Sequence, residues 1–141
     1  MYTYTAQRVI ARPAAAVFAY LADATRQTEW VHGVSQCRWV NGGPSAGAAA
    51  EQTMTFMGKT RTVPVNMTDY QPQHRVVFEK RDPFWCRFAF ELEENGEETL
   101  VRYPVEMTPT GVFSLIIRLV GRKTIEGDLT RIARRLETPE G

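Results

Sequence analysis

Residues able to do chemistry are concentrated in one stretch, EWVHGVSQCRW, at positions 29–39. It holds two of the chain's three tryptophans, one of its two histidines and one of its two cysteines. With His74 and Cys86, the residues His32 and Cys37 complete a set of nitrogen and sulfur donors that zinc accepts. However, no two of the four have the short spacing of a zinc knuckle, and His74 follows a turn signal that favours exposure. We therefore expect neither a metal site nor any other bound cofactor.

Covalent catalysis by Cys37 would require His32 within hydrogen-bond reach as its base. The two residues lie on either side of a predicted helix-to-strand transition, which does not favour that geometry. The chain contains no Gly-x-Ser-x-Gly elbow and no glycine-rich phosphate loop. Buried structural thiols are therefore the simpler interpretation of Cys37 and Cys86. The sequence assigns no catalytic residue.

Composition limits the class of protein. The 141 residues suit a single domain over 1–141, long enough to bury a core without disulfides. The formal net charge of +1 provides no basic field for nucleic acid. Two distant cysteines indicate a reducing compartment, and we see neither a signal peptide nor an apolar run of membrane-spanning length. We expect a soluble cytoplasmic protein with no nucleic-acid partner and no integral membrane segment.

The elements that must position the candidate residues follow from periodicity and turn signals. Residues 2–10 alternate as a strand does, Pro13 opens an alanine-rich helix, and Asp23 can cap a second short helix that ends near Trp30. From there the period becomes two for about seventy residues, and turn signals divide that region into six more strands. The Asn95-Gly96 pair predicts one tight hairpin among them.

A long helical pattern follows from Gly111 to about Glu137, and it is long enough to cross the whole sheet. Its apolar stripe consists of Ile125, Leu129, Ile132 and Leu136. Continued toward the N-terminus, this stripe meets Arg122 and Arg118. Either Arg118 points into the protein, or it reaches the surface along its apolar stem, or the helix bends near Gly121.

In this order of elements the chain resembles the START/Bet v 1-like (SRPBCC) superfamily, and specifically its polyketide cyclase/dehydrase and lipid-transport branch. The stretches that carry the likeness are VIARPAAAVFAYLADATRQTEW, VHGVSQCRWV, FAFELEENGEETLVRYPVEM and LTRIARRLE. The resemblance implies an α+β helix-grip fold. In that fold a curved, seven-stranded antiparallel sheet wraps around a long C-terminal helix, with two short helices between strands 1 and 2. It also implies a hydrophobic cavity between helix and sheet, used for roles from lipid carriage to polyketide cyclisation.

Aromatic, methionine and valine residues of the strands form the candidate ligand site. The side chains that we place on the concave face are Met54, Phe56, Val65, Met67, Phe78, Phe88, Phe90, Tyr103 and Val105. A packed core would explain any one of them, but one helix can hardly fill a strongly curved sheet of this width, which favours a cavity. Trp30 and Trp39 are then wall and rim, with His32 near an entrance. The Tyr103 hydroxyl, if buried, needs a partner such as a ligand or water.

Two further predictions concern single residues. An inward Arg118 would bind a ligand carbonyl or carboxylate, and could stabilise enolate charge during a cyclisation. Pro104 lies in the middle of a predicted interior strand and predicts a β-bulge there, and Pro64 invites the same interpretation.

The sequence leaves three functions open. The first is binding of a hydrophobic or amphipathic small molecule, lipid or polyketide-like, in the cavity. The second is a polyketide cyclase, dehydrase or aromatase that acts on such a ligand in the same cavity. The third is a protein-interaction role, including a homodimer, through the apolar segment 112–120. Polar groups on the cavity wall favour the enzyme, a uniformly apolar wall favours carriage, and a filled core with an exposed patch favours the partner role.

Overall fold

A computed structural model describes residues 1–138, and these form one seven-stranded sheet and three α-helices. The strands are β1 (Tyr2–Ile10), β2 (Val34–Asn41), β3 (Ala49–Phe56), β4 (Lys59–Gln71), β5 (Arg75–Lys80), β6 (Cys86–Asn95) and β7 (Glu98–Met107). The helices are α1 (Ala14–Leu21), α2 (Gln27–Trp30) and α3 (Val112–Glu137), with a 3-10 turn at Ala24–Arg26. The predicted helix-grip architecture is confirmed. A single domain over 1–141 stays a prediction, since its last three residues lie outside the described chain.

The strands follow the order β1-β7-β6-β5-β4-β3-β2, and every neighbouring pair is antiparallel. Sequential strands from β2 to β7 are therefore hairpin neighbours. β1 and β2 lie at opposite edges, so the connection through α1 and α2 spans the sheet between them. Register shifts interrupt β2 and the β4–β5 pair, and such irregularities bend a strand and increase its twist.

The prolines do not produce the bulges that the sequence predicted. Pro104 pairs with Thr5 of β1 without a shift, and the register of β6 against β7 is the same on both sides of it. Pro64 pairs with Glu51, also in register, before the pairing of β4 with β5 begins at Asn66. A proline removes a hydrogen-bond donor but adds no residue, so the ladder loses a bond without shifting.

The local signals around α1 and α2 place the starts of the helical segments to within one residue. The Asp23 side chain accepts a hydrogen bond from the backbone N–H of Thr25 at 3.0 Å and so caps the turn that leads into α2. Pro13 lies one residue before α1, with a φ of −65°. The predicted hairpin between β6 and β7 turns at positions 96–97, where Gly96 has a φ of +65°.

The long helix α3 buries a face that differs from the predicted stripe in its first half. From Ile125 the buried positions continue at a spacing of four to Gly121 and Ile117, while Arg118 and Arg122 are exposed. A Cβ at position 121 would lie 2.9 Å from the Tyr2 hydroxyl oxygen, so the glycine leaves room for the Tyr2 side chain of β1. An inward Arg118 is therefore wrong. Glycine adds nothing to an apolar pattern, and this hid the true continuation of the stripe.

Candidate functional site

A cavity of about 370 Å³ lies between the sheet and the first half of α3. This volume falls within the range of about 300–1,000 Å³ that small-molecule sites occupy. Much of its wall is apolar: the sheet provides Met54, Phe56, Phe88, Val105 and Met107, and α3 provides Ile116, Ile117, Val120 and Ile125. Five lining residues are exposed and mark its mouth: His32, Thr55, Met57, Val120 and Thr124.

The structure brings some of the predicted ligand contacts together and separates the others. The predicted residues that line the cavity are His32, Met54, Phe56, Phe88, Tyr103 and Val105. Those that do not line it are Trp30, Trp39, Val65, Met67, Phe78, Phe90 and Arg118. Of this second group, Trp39 is half-buried, Arg118 is exposed, and the rest belong to the packed core. The concave face is thus part core and part cavity.

Trp30 fills part of the concave side of the sheet and so sets the boundary between the packed core and the cavity. It lies at the end of α2, is 1% exposed, and packs edge-on against Phe90 with ring centroids 5.4 Å apart. It also contacts Phe88 and Tyr103 edge-on at 6.1 and 6.0 Å. The short helix α2 therefore places a large side chain in the concavity that α3 alone would leave open. The sequence-based position of Trp30 on the cavity wall is corrected to a position behind it.

Phe113 packs on two phenylalanines of the cavity wall. Phe113, at the start of α3, stacks on Phe56 of β3 with centroids 5.4 Å apart and lies 5.5 Å from Phe84 in the β5–β6 connection. Phe56 and Phe84 both line the cavity. Aromatic contacts of this kind add stabilisation beyond area burial. The first turn of α3 is therefore held against β3 and against the β5–β6 connection, both of which line the cavity.

The position of His32 at the mouth depends on its neighbour Gly33. Gly33 has a φ of +85°, and a Cβ there would lie 2.7 Å from the backbone oxygen of Thr55. The backbone N–H of Thr55 in turn donates to the carbonyl oxygen of Gly33 at 2.9 Å. Only glycine suits this conformation and this approach. The turn between α2 and β2 is thereby fixed against β3, which also lines the cavity.

Asp128 of α3 is the principal polar residue that sequence reasoning missed. It is 6% exposed and lines the cavity. Its carboxylate accepts hydrogen bonds from the Tyr103 hydroxyl at 3.1 Å and from Nη2 of Arg131 at 2.6 Å. Burial raises the pKa of Asp128 to about 6, although Arg131 and Tyr103 oppose that shift by favouring the ionised form. A carboxyl group with such a pKa can exchange protons near neutral pH.

A signal for Asp128 was present in the sequence. Position 128 is three residues after Ile125 and four before Ile132, so it shares their face of the helix. The residue type concealed it, because an aspartate on a long helix is normally solvated. The Tyr103 hydroxyl therefore has a partner within the protein, the Asp128 carboxylate. Burial and the neighbouring Asp128 raise the pKa of Tyr103 well above its usual value.

Lys80, at the end of β5, is a second polar residue on the wall that the sequence did not indicate. Its Nζ donates to Oε1 of Gln52 at 2.9 Å and approaches Sδ of Met54 at 3.7 Å. The fully buried Gln52 donates from Nε2 to Oε1 of Gln27 at 2.8 Å. Burial removes water from the ammonium group and lowers the pKa of Lys80.

The two cysteines are free, buried thiols, as the sequence predicted. Burial raises the pKa of both Cys37 and Cys86 to about 11, so neither is an activated nucleophile. The Cys37 thiol donates to Oε1 of Gln27 at 3.7 Å, whereas His32 is exposed. Cys86 lines the cavity and Cys37 does not. Over residues 1–138, no three His, Cys, Asp or Glu side chains are grouped closely enough to hold a metal ion.

The segment 112–120 presents an apolar surface beside the cavity. Val112, Leu115 and Leu119 are exposed, Leu119 to 75%. Arg118 lies among them and is exposed as well. In the described part of the chain, no helix combines the length and apolar character needed to span a bilayer.

A curved antiparallel sheet that surrounds a long C-terminal helix and leaves a cavity beside it defines the START/Bet v 1-like class of proteins. The chain belongs to the family described as polyketide cyclase/dehydrase and lipid transport, whose pattern matches residues 1–138. No curated protein matches the sequence.

Solved structures share the fold at low sequence identity. A polyketide-cyclase-like protein from Corynebacterium glutamicum, Cgl2372, is 24% identical, with a TM-score of 0.67 over 96% of this chain and 91% of that one. The ZhuI aromatase/cyclase from Streptomyces sp. R1128 is 13% identical, with a TM-score of 0.73 over 96% and 93%. The protein TTHA0849 from Thermus thermophilus is 16% identical, with a TM-score of 0.76 over 96% and 97%. At these identities the likeness shows the fold alone.

Proposed function

We propose that this protein binds a hydrophobic or amphipathic small molecule, lipid or polyketide-like, in the cavity between the sheet and α3. The observation that carries the proposal is the cavity itself, about 370 Å³ in volume with a largely apolar wall. Burial of apolar ligand surface there contributes about 25 cal/mol for each Å² removed from water. The polar groups of Lys80 and Asp128 interrupt that wall and suit a guest that also carries an oxygen function.

Native mass spectrometry of the protein purified from its host tests this proposal, because a retained small molecule reports its own mass. A matched pair of variants then locates the site. Val120→Trp places an indole at the mouth, whereas Leu119→Trp adds the same group at an exposed position outside the cavity. We expect Val120→Trp to weaken binding of an apolar probe such as 2-methylnaphthalene by about tenfold or more, and Leu119→Trp to leave it unchanged. Equal binding by both variants would contradict the assigned site.

A cyclase, dehydrase or aromatase reaction is a second candidate function, supported by the polar cavity wall. The Asp128 carboxylate can take a proton from carbon next to a guest carbonyl, since its pKa of about 6 suits a base near neutral pH. The resulting enolate needs a nearby cation or donor. Arg118 was the candidate from sequence but is exposed, and Lys80 is the cation that lines the cavity.

Proton exchange separates the enzyme from a simple carrier. We expect the wild type in deuterated buffer to exchange the α-protons of 2-acetylnaphthalene faster than Asp128→Asn does, with the exchange read by NMR. Binding of the same ketone by Asp128→Asn at wild-type affinity would show that exchange, not occupancy, has been lost. Equal exchange rates would leave carriage as the function.

The cellular location and the protein partners that we propose are those predicted from the sequence. We propose a cytoplasmic protein, which two free, buried thiols support. The exposed apolar surface of Val112, Leu115 and Leu119 supports the predicted partner role or homodimer. The absence of a nucleic-acid partner stays a prediction from the net charge of +1.

A further inference from the structure

The side-chain amine of Lys80 belongs to a residue of the largely apolar cavity wall. Of the described residues that line the cavity, it is the only lysine or arginine. Its Nζ donates to one oxygen, Oε1 of Gln52, while the contact with Met54 is to sulfur, a weak acceptor. No ion pair joins Lys80 to a carboxylate within residues 1–138. An ammonium group has three donors and a neutral amine has a lone pair, so Lys80 keeps bonding capacity for a guest.

The support of Lys80 is rigid. Gln52 and Gln27 are both fully buried, and their side chains are joined at 2.8 Å, so the oxygen that holds Nζ has little freedom to move. Phe88 and Val105 line the same cavity. The result is a fixed nitrogen atom on a wall that is otherwise largely apolar.

The charges around the cavity favour a neutral carbonyl over a carboxylate as the partner of this nitrogen. Asp128 lines the same cavity, and its negative charge already acts on Lys80. A guest carboxylate would bring a second anion into a site of low dielectric, where like charges repel strongly. An aldehyde or ketone presents an oxygen and an electrophilic carbon without that charge.

We propose that Lys80 forms an imine with an aldehyde or ketone carbonyl of an apolar guest in the cavity. This inference rests on the proposed function, because the guest must first bind there. The nitrogen lone pair forms a bond to the carbonyl carbon while the C=O π electrons move to oxygen. One proton passes from nitrogen to that oxygen. The hydroxyl then takes up a second proton, the C–O bond breaks to release water, and nitrogen gives up its second proton as its lone pair forms C=N.

This condensation requires no oxidant or reductant, since amine and carbonyl give imine and water. Burial lowers the pKa of Lys80, which increases the fraction of neutral, nucleophilic amine near neutral pH. Asp128, whose pKa is about 6, lines the same cavity and can exchange the protons that the two steps move.

The chain offers internal controls, because its only other lysines are Lys59 and Lys123, and both are exposed. The experiment incubates the intact protein with 2-naphthaldehyde at neutral pH, traps imines with cyanoborohydride, and maps the modified peptides by mass spectrometry. We expect Lys80 to be labelled about tenfold faster than Lys59 or Lys123, and this preference to vanish in guanidinium chloride. The double variant Lys59→Arg/Lys123→Arg should label at Lys80 as the wild type does.

Binding of 2-methylnaphthalene, which lacks the carbonyl, separates the two proposals. We expect the double variant Lys59→Arg/Lys123→Arg to bind this hydrocarbon as the wild type does, and Lys80→Arg to form no trapped adduct at position 80. If Lys80 in a wild type that binds 2-methylnaphthalene labels no faster than Lys59 and Lys123, the imine is overturned and the binding function stands. If the hydrocarbon does not bind, the proposed function itself fails. Should Lys80→Arg not fold, the three lysine rates in the wild type still decide the matter.

Discussion

The Tyr103 hydroxyl of β7 donates a 3.1 Å hydrogen bond to Asp128 of α3, and this bond joins sheet and helix at the cavity wall. The other carboxylate oxygen of Asp128 accepts from Arg131, whose Nε donates to the carbonyl oxygen of Trp30 at the end of α2. Three elements therefore meet at one buried carboxyl group. Removing any member leaves a polar partner unsatisfied in a site with little water.

The stability of the protein should depend on pH through Asp128. Its pKa rises from 3.8 to about 6 on folding, so the folded state holds more protons between these two pH values. The stabilisation from the protonated carboxyl is complete below the lower pKa and is lost as pH rises through the higher one. The quantity to compare is the unfolding free energy of the wild type minus that of Asp128→Asn. We expect this difference to fall by at most about 3 kcal/mol from pH 4 to pH 7.

Urea unfolding of both proteins at the two pH values measures this difference. Glu126→Gln is the matched control, since Glu126 is an exposed carboxylate on the same helix, and its difference from the wild type should stay nearly constant. A wild-type advantage over Asp128→Asn that does not change with pH would contradict the raised pKa of Asp128.

Gly33→Ala should destabilise the protein because alanine is strained at a φ of +85° and its Cβ would approach the Thr55 carbonyl oxygen to 2.7 Å. We expect a loss of about 1–3 kcal/mol in unfolding free energy. Gly43→Ala is the control: no atom lies within 4 Å of its new Cβ, and we expect a change within about 0.5 kcal/mol. Thermal and urea unfolding report both, and equal stability of the two variants would count against the tight turn.

The two cysteines should report occupancy of the cavity. With pKa values of about 11, both Cys37 and Cys86 are thiolates in about one molecule in a thousand at pH 8, so both should react slowly with N-ethylmaleimide. Bound 2-methylnaphthalene should slow the reaction of Cys86, which lines the cavity, more than that of Cys37, which does not. Peptide mapping over time measures the two rates. Equal protection of both thiols would mean that the guest slows unfolding of the whole protein and does not shield Cys86 at the cavity.

The exposed apolar surface of α3 should tolerate charge without loss of stability. Leu115 and Leu119 are already largely in water, so the double variant Leu115→Glu/Leu119→Glu should unfold within about 0.5 kcal/mol per site of the wild type. Sedimentation of the two proteins tests the predicted homodimer. A wild-type dimer that becomes monomeric in the variant supports an interface on this surface, whereas a monomeric wild type removes it.

Fold and element order were accessible from the sequence because they depend on periodicity and on turn residues. Strand alternation after Ser35, the cap at Asp23 and the Gly96 hairpin are local patterns, and each reflects a backbone requirement. The division of the concave face between core and cavity was not accessible in this way. It depends on how far Trp30 reaches across the sheet, and alternation does not encode that distance.

The polar residues of the site were the least predictable from sequence. Arg118 attracted attention because it interrupts an apolar run, yet it is exposed. Lys80 and Asp128 looked like ordinary surface residues at a strand end and on a helix. Their burial depends on tertiary contacts with Gln52, Tyr103 and the cavity, which a linear pattern does not contain.

One half of α3 packs in the core and the other faces the cavity. This division affects how the cavity of such a domain can change during evolution. Beyond Ile125 the helix is embedded in the core through Leu129, Ile132 and Leu136, while Ile117 and its neighbours face the hollow. Substitutions at Leu129, Ile132 or Leu136 change the core, and those at Ile116, Ile117 or Val120 change the shape of the hollow. Under the proposed binding function, a lineage can therefore exchange one guest for another along a few helical turns while its scaffold stays intact.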